Sequence, residues 1–221
     1  MQWPHQLQGK FLVFDGPDGS GKSTQFSRFA EFCRSSGLKV CEVREPGGTH
    51  IGEQIRKVLL DPANTEMSLR CEMMLYMASR AQLIEQLIRP ALGRRELVLA
   101  DRFISSTLAY QGTAGGMSPE EILAVGRVAV GSIWPHLTVL FDVPEDVSEQ
   151  RMTARHSSTA SAGGDRMERK GREYHARVRQ GFLAQAQARL LGEYLVMNAS
   201  PAAEVVFDRL QVELKRIFSA V

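Results

Sequence analysis

The chain has 221 residues, of which 43% are hydrophobic, and carries 27 lysines and arginines against 25 aspartates and glutamates. This length suits one globular domain, so we interpret residues 1–221 as a single unit whose core needs no disulfide or structural metal. A net charge of +2 excludes a basic arm that wraps nucleic acid and an acidic disordered tail.

Other features of the sequence indicate a protein of the cytoplasm. No apolar run approaches the roughly 20 residues of a membrane-spanning helix, so no membrane partner is predicted. The three cysteines are scattered and lack C-x-x-C spacing, which favours neither a disulfide framework nor a zinc site. The first ten residues show no targeting signal.

Short apolar runs alternate with stretches of helical periodicity along the chain. The predicted strands are Phe11 to Asp15, Lys39 to Arg44, Leu97 to Asp101, Leu137 to Val143 and Tyr194 to Asn198. The predicted helices are Lys22 to Ser36, Ile51 to Leu60, Thr65 to Ile88, Ser118 to Val130, Glu145 to Arg155, Glu168 to Leu191 and Pro201 to Phe218. Five strands that alternate with helices indicate an α/β fold, with a five-stranded parallel sheet and helices on both of its faces.

The first strand leads into a glycine-rich motif that matches G-x-x-x-x-G-K-[ST] over residues 16–23. Since it stands between a strand and a helix, it predicts a P-loop, in which glycines with positive φ let backbone N–H groups face a polyphosphate. Lys22 is expected to reach the β and γ phosphates and Ser23 to bind Mg²⁺. The alternative is an ordinary glycine-rich turn. The predicted ATP-binding residues are Gly16, Asp18, Gly19, Ser20, Gly21, Lys22, Ser23 and Thr24.

The third strand ends in a carboxylate, Asp101, at the sheet edge that faces the nucleotide in P-loop proteins. We interpret Asp101 as the acidic partner of the metal, with a helix N-cap as the alternative. Three arginines lie where element ends converge: Arg44, Arg80 and Arg102. Guanidinium groups bind phosphate oxygens bidentately, so together they are predicted to hold a second phosphate, although each alone would be read as a surface charge.

A segment that is small, polar and aperiodic, from His156 to Gly164, interrupts the pattern of elements. By itself it would be read as a solvated surface insertion. Basic residues flank it on both sides, however, and we return to it below as part of a mobile lid over about residues 151–172.

Several motifs in chain order resemble those of bacterial thymidylate kinases, which are nucleoside monophosphate kinases. They are Phe14 to Thr24, Arg44 to Thr49, Asp101 to Gln111, Leu140 to Pro144 and Asp165 to Glu168. The resemblance covers nearly the whole chain. It implies a P-loop NTPase fold with a lid, ATP as the donor, thymidine monophosphate (dTMP) as the acceptor, Mg²⁺ as the cofactor and a homodimer.

The resemblance also assigns roles to residues around the acceptor. It implies that Tyr76 stacks on the thymine ring, where spacing alone would place a core aromatic. Arg80 would bind the base and the acceptor phosphate, Thr107 and Gln111 the edge of the base, and Tyr110 would pack beneath the sugar and disfavour a 2′-hydroxyl. Asp18 would lie near the acceptor's sugar and phosphate, with its charge offset by Mg²⁺ or an arginine.

The lid is assigned a catalytic role by the charge of the transferred group. A well-placed arginine is worth roughly 10³ to 10⁵ in the rate of phosphoryl transfer. The P-loop supplies none between Pro17 and Ser20, so the lid must supply it, with Arg155 and then Arg166 as the best candidates. The predicted catalytic residues are Lys22, Asp18, Arg102, Arg155 and Arg166.

These observations predict a kinase that transfers the γ-phosphoryl of ATP to dTMP, giving dTDP for dTTP synthesis. The alternative among enzymes is a related P-loop kinase for another nucleotide or a nucleoside. The alternative outside enzymes is a GTP-binding switch, which would be expected to carry an N-K-x-D motif that this sequence lacks. One departure from the family pattern is His136, where members usually carry Asp, and we interpret it as structural.

Overall fold

A computed structural model describes residues 3–158 and 165–219, without the side chains of residues 155–158. Its five strands form one sheet in the order β2-β3-β1-β4-β5, and every pair of neighbours is parallel. The strands are β1 (Phe11–Asp15), β2 (Val40–Arg44), β3 (Leu97–Asp101), β4 (Leu137–Asp142) and β5 (Tyr194–Asn198). All five predicted strands are confirmed, each to within one residue at either end.

The described helices lie between and around these strands. The α-helices are α1 (Lys22–Ser35), α2 (His50–Leu60), α3 (Leu69–Leu83), α4 (Arg89–Gly93), α5 (Ile104–Thr107), α6 (Pro119–Val130), α7 (Glu145–Ser158), α8 (Arg172–Ala188) and α9 (Ala203–Ser219). A 3₁₀ turn covers Trp3–Leu7, and π-helical turns cover Ile84–Ile88 and Leu108–Ala114. Among the described residues, no helix is long and apolar enough to cross a membrane.

Alternation along β1 divides the core between the two faces of the sheet. Leu12 and Phe14 pack into one buried cluster with residues of α1 and α9, whereas Phe11 and Val13 pack into another with residues of α3 and α6. Successive side chains of a strand point to opposite faces, and here both faces are covered. The predicted arrangement of helices on both sides of a parallel sheet is therefore confirmed.

The register of the strands brings the predicted site residues to one edge. Arg44, the last residue of β2, pairs with Asp101, the last residue of β3, and Asp101 pairs in turn with Phe14 of β1. The P-loop leaves β1 two residues later. The P-loop, Asp101 and Arg44, to which the sequence assigns phosphate, metal and acceptor binding, thus lie side by side at one edge of the sheet.

Three differences from the predicted helices have local causes. Helix α3 begins at Leu69 and not Thr65, because the Ser68 hydroxyl accepts a hydrogen bond from the Cys71 N–H and caps it. Helix α8 begins at Arg172 and not Glu168, because Asp165 folds the chain into a turn by accepting from the Met167 and Glu168 N–H groups. Helix α7 runs to Ser158, three residues past its predicted end, so the aperiodic segment is shorter than predicted.

The helical segment from Ile104 to Ala114 was missing from the predicted elements. It consists of the one-turn helix α5 and a π-helical turn, and it is buried almost throughout. Since π turns lack the 3.6-residue repeat, periodicity does not reveal them, and they are frequent at functional sites. This segment carries Thr107, Tyr110 and Gln111.

His136, which departs from the family pattern, precedes β4 and forms hydrogen bonds to Phe11, the first residue of β1. Its ring Nδ1 accepts a hydrogen bond from the backbone N–H of Phe11, at 3.0 Å, and the backbone N–H of His136 donates to the Phe11 carbonyl, at 2.8 Å. Burial, helped by the charge of Lys10, lowers the pKa of the ring. The neutral imidazole is the form that can accept, so these contacts support the structural interpretation of His136.

Replacing His136 tests this structural role. We expect His136→Ala to lower the free energy of unfolding by about 1 to 3 kcal/mol, because the N–H of the fully buried Phe11 loses its acceptor. His136→Asp, the matched variant, restores an acceptor and should recover part of the loss. Urea denaturation measures both; equal stability of His136→Ala and the parent chain would contradict the assignment.

Candidate active site

The loop between β1 and α1 has the backbone of an anion-binding turn. Gly19 and Gly21 have φ of 73° and 81°, and no side chain caps the N-terminus of α1. Its first N–H groups are therefore left for a ligand, at the positive end of the helix dipole. The Ser20 hydroxyl is buried without a hydrogen-bond partner among the described residues, which also points to a missing acceptor.

Gly16 shows why the motif begins with glycine. Its φ is 146°, and a Cβ placed there would lie 2.4 Å from the carbonyl oxygen of Phe141 on β4. No larger residue fits between β4 and the loop.

Lys22 and Ser23 meet Asp101 at the mouth of this loop. Lys22 Nζ lies 2.5 Å from Asp101 Oδ1, and the Ser23 hydroxyl donates a longer hydrogen bond to Asp101 Oδ2, at 3.5 Å. Burial and the charge of Arg102 lower the pKa of Lys22, while Asp101 opposes both effects. A hydroxyl and a carboxylate oxygen side by side are ligands that suit Mg²⁺, which otherwise keeps waters and phosphate oxygens.

Asp18, which also lies in the loop, is held by two partners from the neighbouring chain segment. Arg102 Nη2 donates to Asp18 Oδ1, at 2.5 Å, and the Tyr110 hydroxyl donates to Oδ2, at 2.7 Å. Burial alone would raise the pKa of Asp18, but the charge of Arg102 and the bond from Tyr110 lower it below its usual value. The offsetting arginine that the sequence called for is therefore Arg102.

A second carboxylate, Asp15, anchors the other side of Arg102. Asp15 is fully buried and accepts from the Ser105 hydroxyl, at 2.6 Å, and the Ser106 hydroxyl, at 2.8 Å. Arg102 Nη1 lies 3.4 Å from Asp15 Oδ1 and donates to the Gly16 carbonyl, at 3.1 Å. Arg102 also has a φ of 70°, a conformation that costs energy for a non-glycine residue and that tight surroundings sustain.

Arg80 is buried beneath the other end of the site. Its Nε and Nη2 donate to the carboxylate of Glu45, at 2.5 to 3.1 Å, and Nη2 also donates to the Thr107 hydroxyl, at 3.1 Å. Burial raises the pKa of Glu45 to about 7, and the charge of Arg80 opposes the rise. With 1% of its surface exposed, Arg80 is fixed in orientation and is no surface charge.

Gln111 and the lid-side Arg166 are joined by another buried carboxylate, Glu72 of α3. Gln111 Nε2 donates to Glu72 Oε1, at 2.6 Å, and Arg166 Nη2 lies 2.5 Å from Glu72 Oε2. Arg166 Nε donates to the Leu59 carbonyl, at 2.8 Å. The structure thus holds Arg166, the second candidate for the catalytic cation, on Glu72 and the end of α2.

Two cavities open on this set of residues. One, of about 260 Å³, is lined by Asp18, Lys22, Ser23, Arg44, Glu45, Tyr76, Arg80, Asp101, Arg102, Thr107, Tyr110, Gln111, Asp165 and Glu168, among others. It includes every residue that the sequence assigned to the acceptor. Tyr76 is half-buried, and exposed Arg44 donates to Glu53 at the rim.

The second cavity, of about 400 Å³, follows the P-loop. It is lined by residues 17–25 together with Arg151, Met152, Ala199, Pro201, Ala203 and Val206. All the predicted ATP-binding residues except Gly16 line this cavity. Gly16 instead packs against the Phe141 carbonyl on β4. The two cavities share Asp18, Lys22 and Ser23, so a group held in one would face a group held in the other at these three residues.

Helix α7, whose second half enters the predicted lid, is attached to the phosphate loop. The Ser148 hydroxyl donates to the Asp18 carbonyl, at 2.6 Å, and Arg151 donates to the carbonyls of Ala199 and Ser200, at 3.0 and 3.1 Å. The side chain of Arg155, four residues further on, lies outside the described residues, as does the chain from 159 to 164. The predicted role of Arg155 stays a prediction.

Sequence reasoning missed the buried carboxylates that hold the functional groups: Asp15, Glu45 and Glu72. A signal for Glu72 was present, because Glu72, Tyr76 and Arg80 follow one another at intervals of four and so share one face of α3. Glu45 follows Arg44 directly within a motif that had been noted. Asp15 ends β1, but nothing in its pattern separates it from a buried strand residue.

A P-loop that meets an arginine-lined cavity across shared residues defines a phosphotransferase of the P-loop kinase class. Comparisons specify the family. The sequence profile of the thymidylate kinase family matches residues 14–210. A protein named Thymidylate kinase from Symbiobacterium thermophilum is 40% identical over 96% of this chain and 93% of its own length. Another from Desulforudis audaxviator is 43% identical over 96% of this chain and 92% of its own length.

The chain belongs to the thymidylate kinase family, as its motifs predicted. It is an ATP-dependent kinase that converts dTMP to dTDP, which confirms the predicted activity and sets aside the alternatives of another acceptor or a switch.

Proposed function

We propose that the cavity along the P-loop holds ATP, that the cavity beside Arg80 holds dTMP, and that the γ-phosphoryl passes between them at Asp18, Lys22 and Ser23. The observation that carries this proposal is the sharing of these three residues by the two cavities. The acceptor's phosphate oxygen is already a nucleophile, so no covalent intermediate is needed. The chain's contribution is alignment and charge neutralisation.

On the donor side, Lys22 would contact the β and γ phosphates while the N–H groups of the loop and of α1 surround them. Ser23 and Asp101 would hold Mg²⁺. The hydroxyl and carboxylate oxygens there suit this ion, which supplies charge neutralisation on the phosphates when bound. Asp101 would exchange its contact with Lys22 for the ion, which would free the lysine for phosphate.

On the acceptor side, Arg44, Arg80 and Arg102 would bind the phosphate and the base edge. Arg80 is fixed by Glu45, and Arg102 by Asp15 and Asp18, so these two guanidinium groups need little reordering on binding. Tyr76 would stack on the ring of the base, and Thr107 and Gln111 would read its edge.

We also propose that the protein is a cytoplasmic homodimer. Helices α2, α3 and α6 pack side by side and expose the apolar residues Ile51, Val58, Met74 and Val128, each at least 46% exposed. Such a face suits a second copy of the chain. The free thiols of Cys33, Cys41 and Cys71 support a reducing compartment.

A coupled assay of ADP release with a panel of nucleoside monophosphates tests the proposed donor and acceptor sites. We expect turnover to depend on dTMP, and Lys22→Ala to reduce it by about 10³ or more with the fold intact, because a phosphate contact is lost. The exposed Lys215→Ala on α9 is a matched control and should retain full activity. Near-normal turnover of folded Lys22→Ala would contradict the donor assignment.

Tyr110 gives a test of sugar selection. We propose that its ring lies beneath the deoxyribose, while its hydroxyl holds Asp18. Tyr110→Ala should admit ribonucleotide acceptors, because the ring that fills the space of a 2′-hydroxyl is gone. Tyr110→Phe should keep the discrimination but slow transfer several-fold, because Asp18 loses one of its two partners. Kinetics with deoxyribo and ribo acceptors decide; unchanged discrimination in Tyr110→Ala would refute the role.

The roles of Arg155 and Arg166 can be told apart by comparing the rate of the transfer step with the affinity for dTMP. Arg155→Ala should lower the rate of the transfer step by about 10² or more and change dTMP binding little, because it acts on the phosphoryl group in flight. Arg166→Ala should chiefly disturb the acceptor cavity, since Arg166 is held on Glu72. Rapid-quench measurements compare them; if neither variant slows transfer by about tenfold, the catalytic cation lies outside the lid.

A further inference from the structure

The amide of Gln111 is held in one orientation. Its Nε2 donates to the carboxylate of Glu72, at 2.6 Å, and both side chains are 1% exposed. An ionised carboxylate only accepts hydrogen bonds, so the NH₂ group must face Glu72 and the carbonyl oxygen Oε1 must face elsewhere. Gln111 lines the cavity beside Arg80, and its bond to Glu72 uses Nε2, which leaves Oε1 for the cavity. Oε1 is thus the group that Gln111 offers to a ligand.

Glu72 is itself held by an ion pair on its other side. Its second oxygen lies 2.5 Å from Arg166 Nη2, and Arg166 is tied to the Leu59 carbonyl through Nε. A buried carboxylate is costly unless a cation lies beside it, and Arg166 supplies that charge. Glu72, held between Arg166 and Gln111, keeps the Gln111 amide turned with its NH₂ group inward.

Glu45 has a parallel effect on the neighbouring polar group of the cavity. It binds Nε and Nη2 of Arg80 and so fixes the orientation of this guanidinium, a donor that lines the same cavity as Gln111. Thymine and uracil present the complement, a carbonyl oxygen next to a ring N–H. Cytosine presents the reverse pattern, an amino group next to an unprotonated ring nitrogen.

We propose that Glu72 is a specificity-determining positioning residue: it locks the Gln111 amide so that the cavity accepts pyrimidines with a ring N–H and rejects those with a ring acceptor. This inference rests on the proposed base-reading role of Gln111. A site discriminates strongly against a base that places an acceptor opposite a buried acceptor of the protein, or a donor opposite a donor. This holds only if the side chain of the protein is unable to rotate and present its other group. Without Glu72, a rotation of the Gln111 amide would turn its NH₂ group toward the unprotonated ring nitrogen of cytosine.

The test is the ratio of kcat/KM for dTMP to kcat/KM for dCMP. Glu72→Gln keeps the size of the side chain but supplies an amide, which can pair with either orientation of Gln111. We expect the ratio to fall by about tenfold or more, with part of the fall coming from a gain in dCMP. Glu121→Gln, on the exposed face of α6, is the matched control and should leave the ratio unchanged.

A merely structural role for Glu72 would give a different result. It would lower kcat/KM for both nucleotides alike, and a ratio within about twofold of the parent value would overturn the proposal. Since Glu72→Gln leaves Arg166 with a buried charge, the double variant Glu72→Gln with Arg166→Gln removes both charges together. It should show the same fall in the ratio, and urea denaturation confirms that each variant folds.

A double-mutant cycle separates this inference from the role of Gln111. Gln111→Ala should itself reduce the ratio, and adding Glu72→Gln to it should change the ratio no further, because Glu72 acts through Gln111. If Gln111→Ala leaves the ratio intact, the base-reading role fails. If Gln111→Ala lowers it while both Glu72 variants do not, the base-reading role stands and the proposal for Glu72 is wrong.

The orientation of the Gln111 amide can also be tested in the parent protein, so this test does not depend on whether a variant folds. The side-chain amide protons of Gln111 should exchange slowly with solvent in nuclear magnetic resonance spectra of the complex with dTMP, because Glu72 holds one of them. Exchange as rapid as that of the exposed Gln54 amide would contradict the lock.

Discussion

The contact between Arg102 and the two carboxylates Asp15 and Asp18 is the constraint on which the rest of the site depends. Asp15 ends the central strand and Asp18 lies within the phosphate loop, so this one guanidinium fixes the loop relative to the sheet. The positive φ of Arg102 is the conformation in which it reaches both. Because Asp18 lines both cavities, its position also sets where the donor and the acceptor meet in the proposed reaction.

The same principle recurs around the acceptor cavity, where buried carboxylates orient the groups that face the ligand. Glu45 holds Arg80, and Glu72 holds Gln111. Buried charges are expensive unless they are paired and hydrogen-bonded, which limits each functional group to one orientation. Polar groups fixed in this way stabilise developing charge with little reorganisation, and they discriminate between acceptors by their pattern of donors and acceptors.

Much of this fold could be predicted because its signals are local. The strands are short apolar runs bounded by turns. The P-loop is recognised from its glycine spacing between a strand and a helix. The Ile104–Ala114 segment was missed because a one-turn helix followed by a π turn has no repeat to detect. Helix ends at Ser68 and Asp165 depended on caps whose partners are visible only in the structure.

The residues of the candidate site likewise fall into those that a local motif predicts and those that it does not. Lys22, Ser23 and Asp101 were found from sequence because the motif and the strand end place them. The predicted acceptor residues came from resemblance, and in the structure they line one cavity. The pairing of Gln111 with Glu72 joins positions 39 residues apart in the chain, and no local pattern encodes such a contact.

In the proposed reaction, donor and acceptor meet at Asp18, Lys22 and Ser23. The most direct measurement is a crystal structure with a bisubstrate ligand in which adenosine and thymidine are joined by a polyphosphate chain. The account predicts adenosine in the cavity beside Arg151, thymine against Tyr76 and Gln111, and the phosphates passing over Lys22. A thymidine bound away from Arg80, or a phosphate chain that bypasses Lys22, would contradict it.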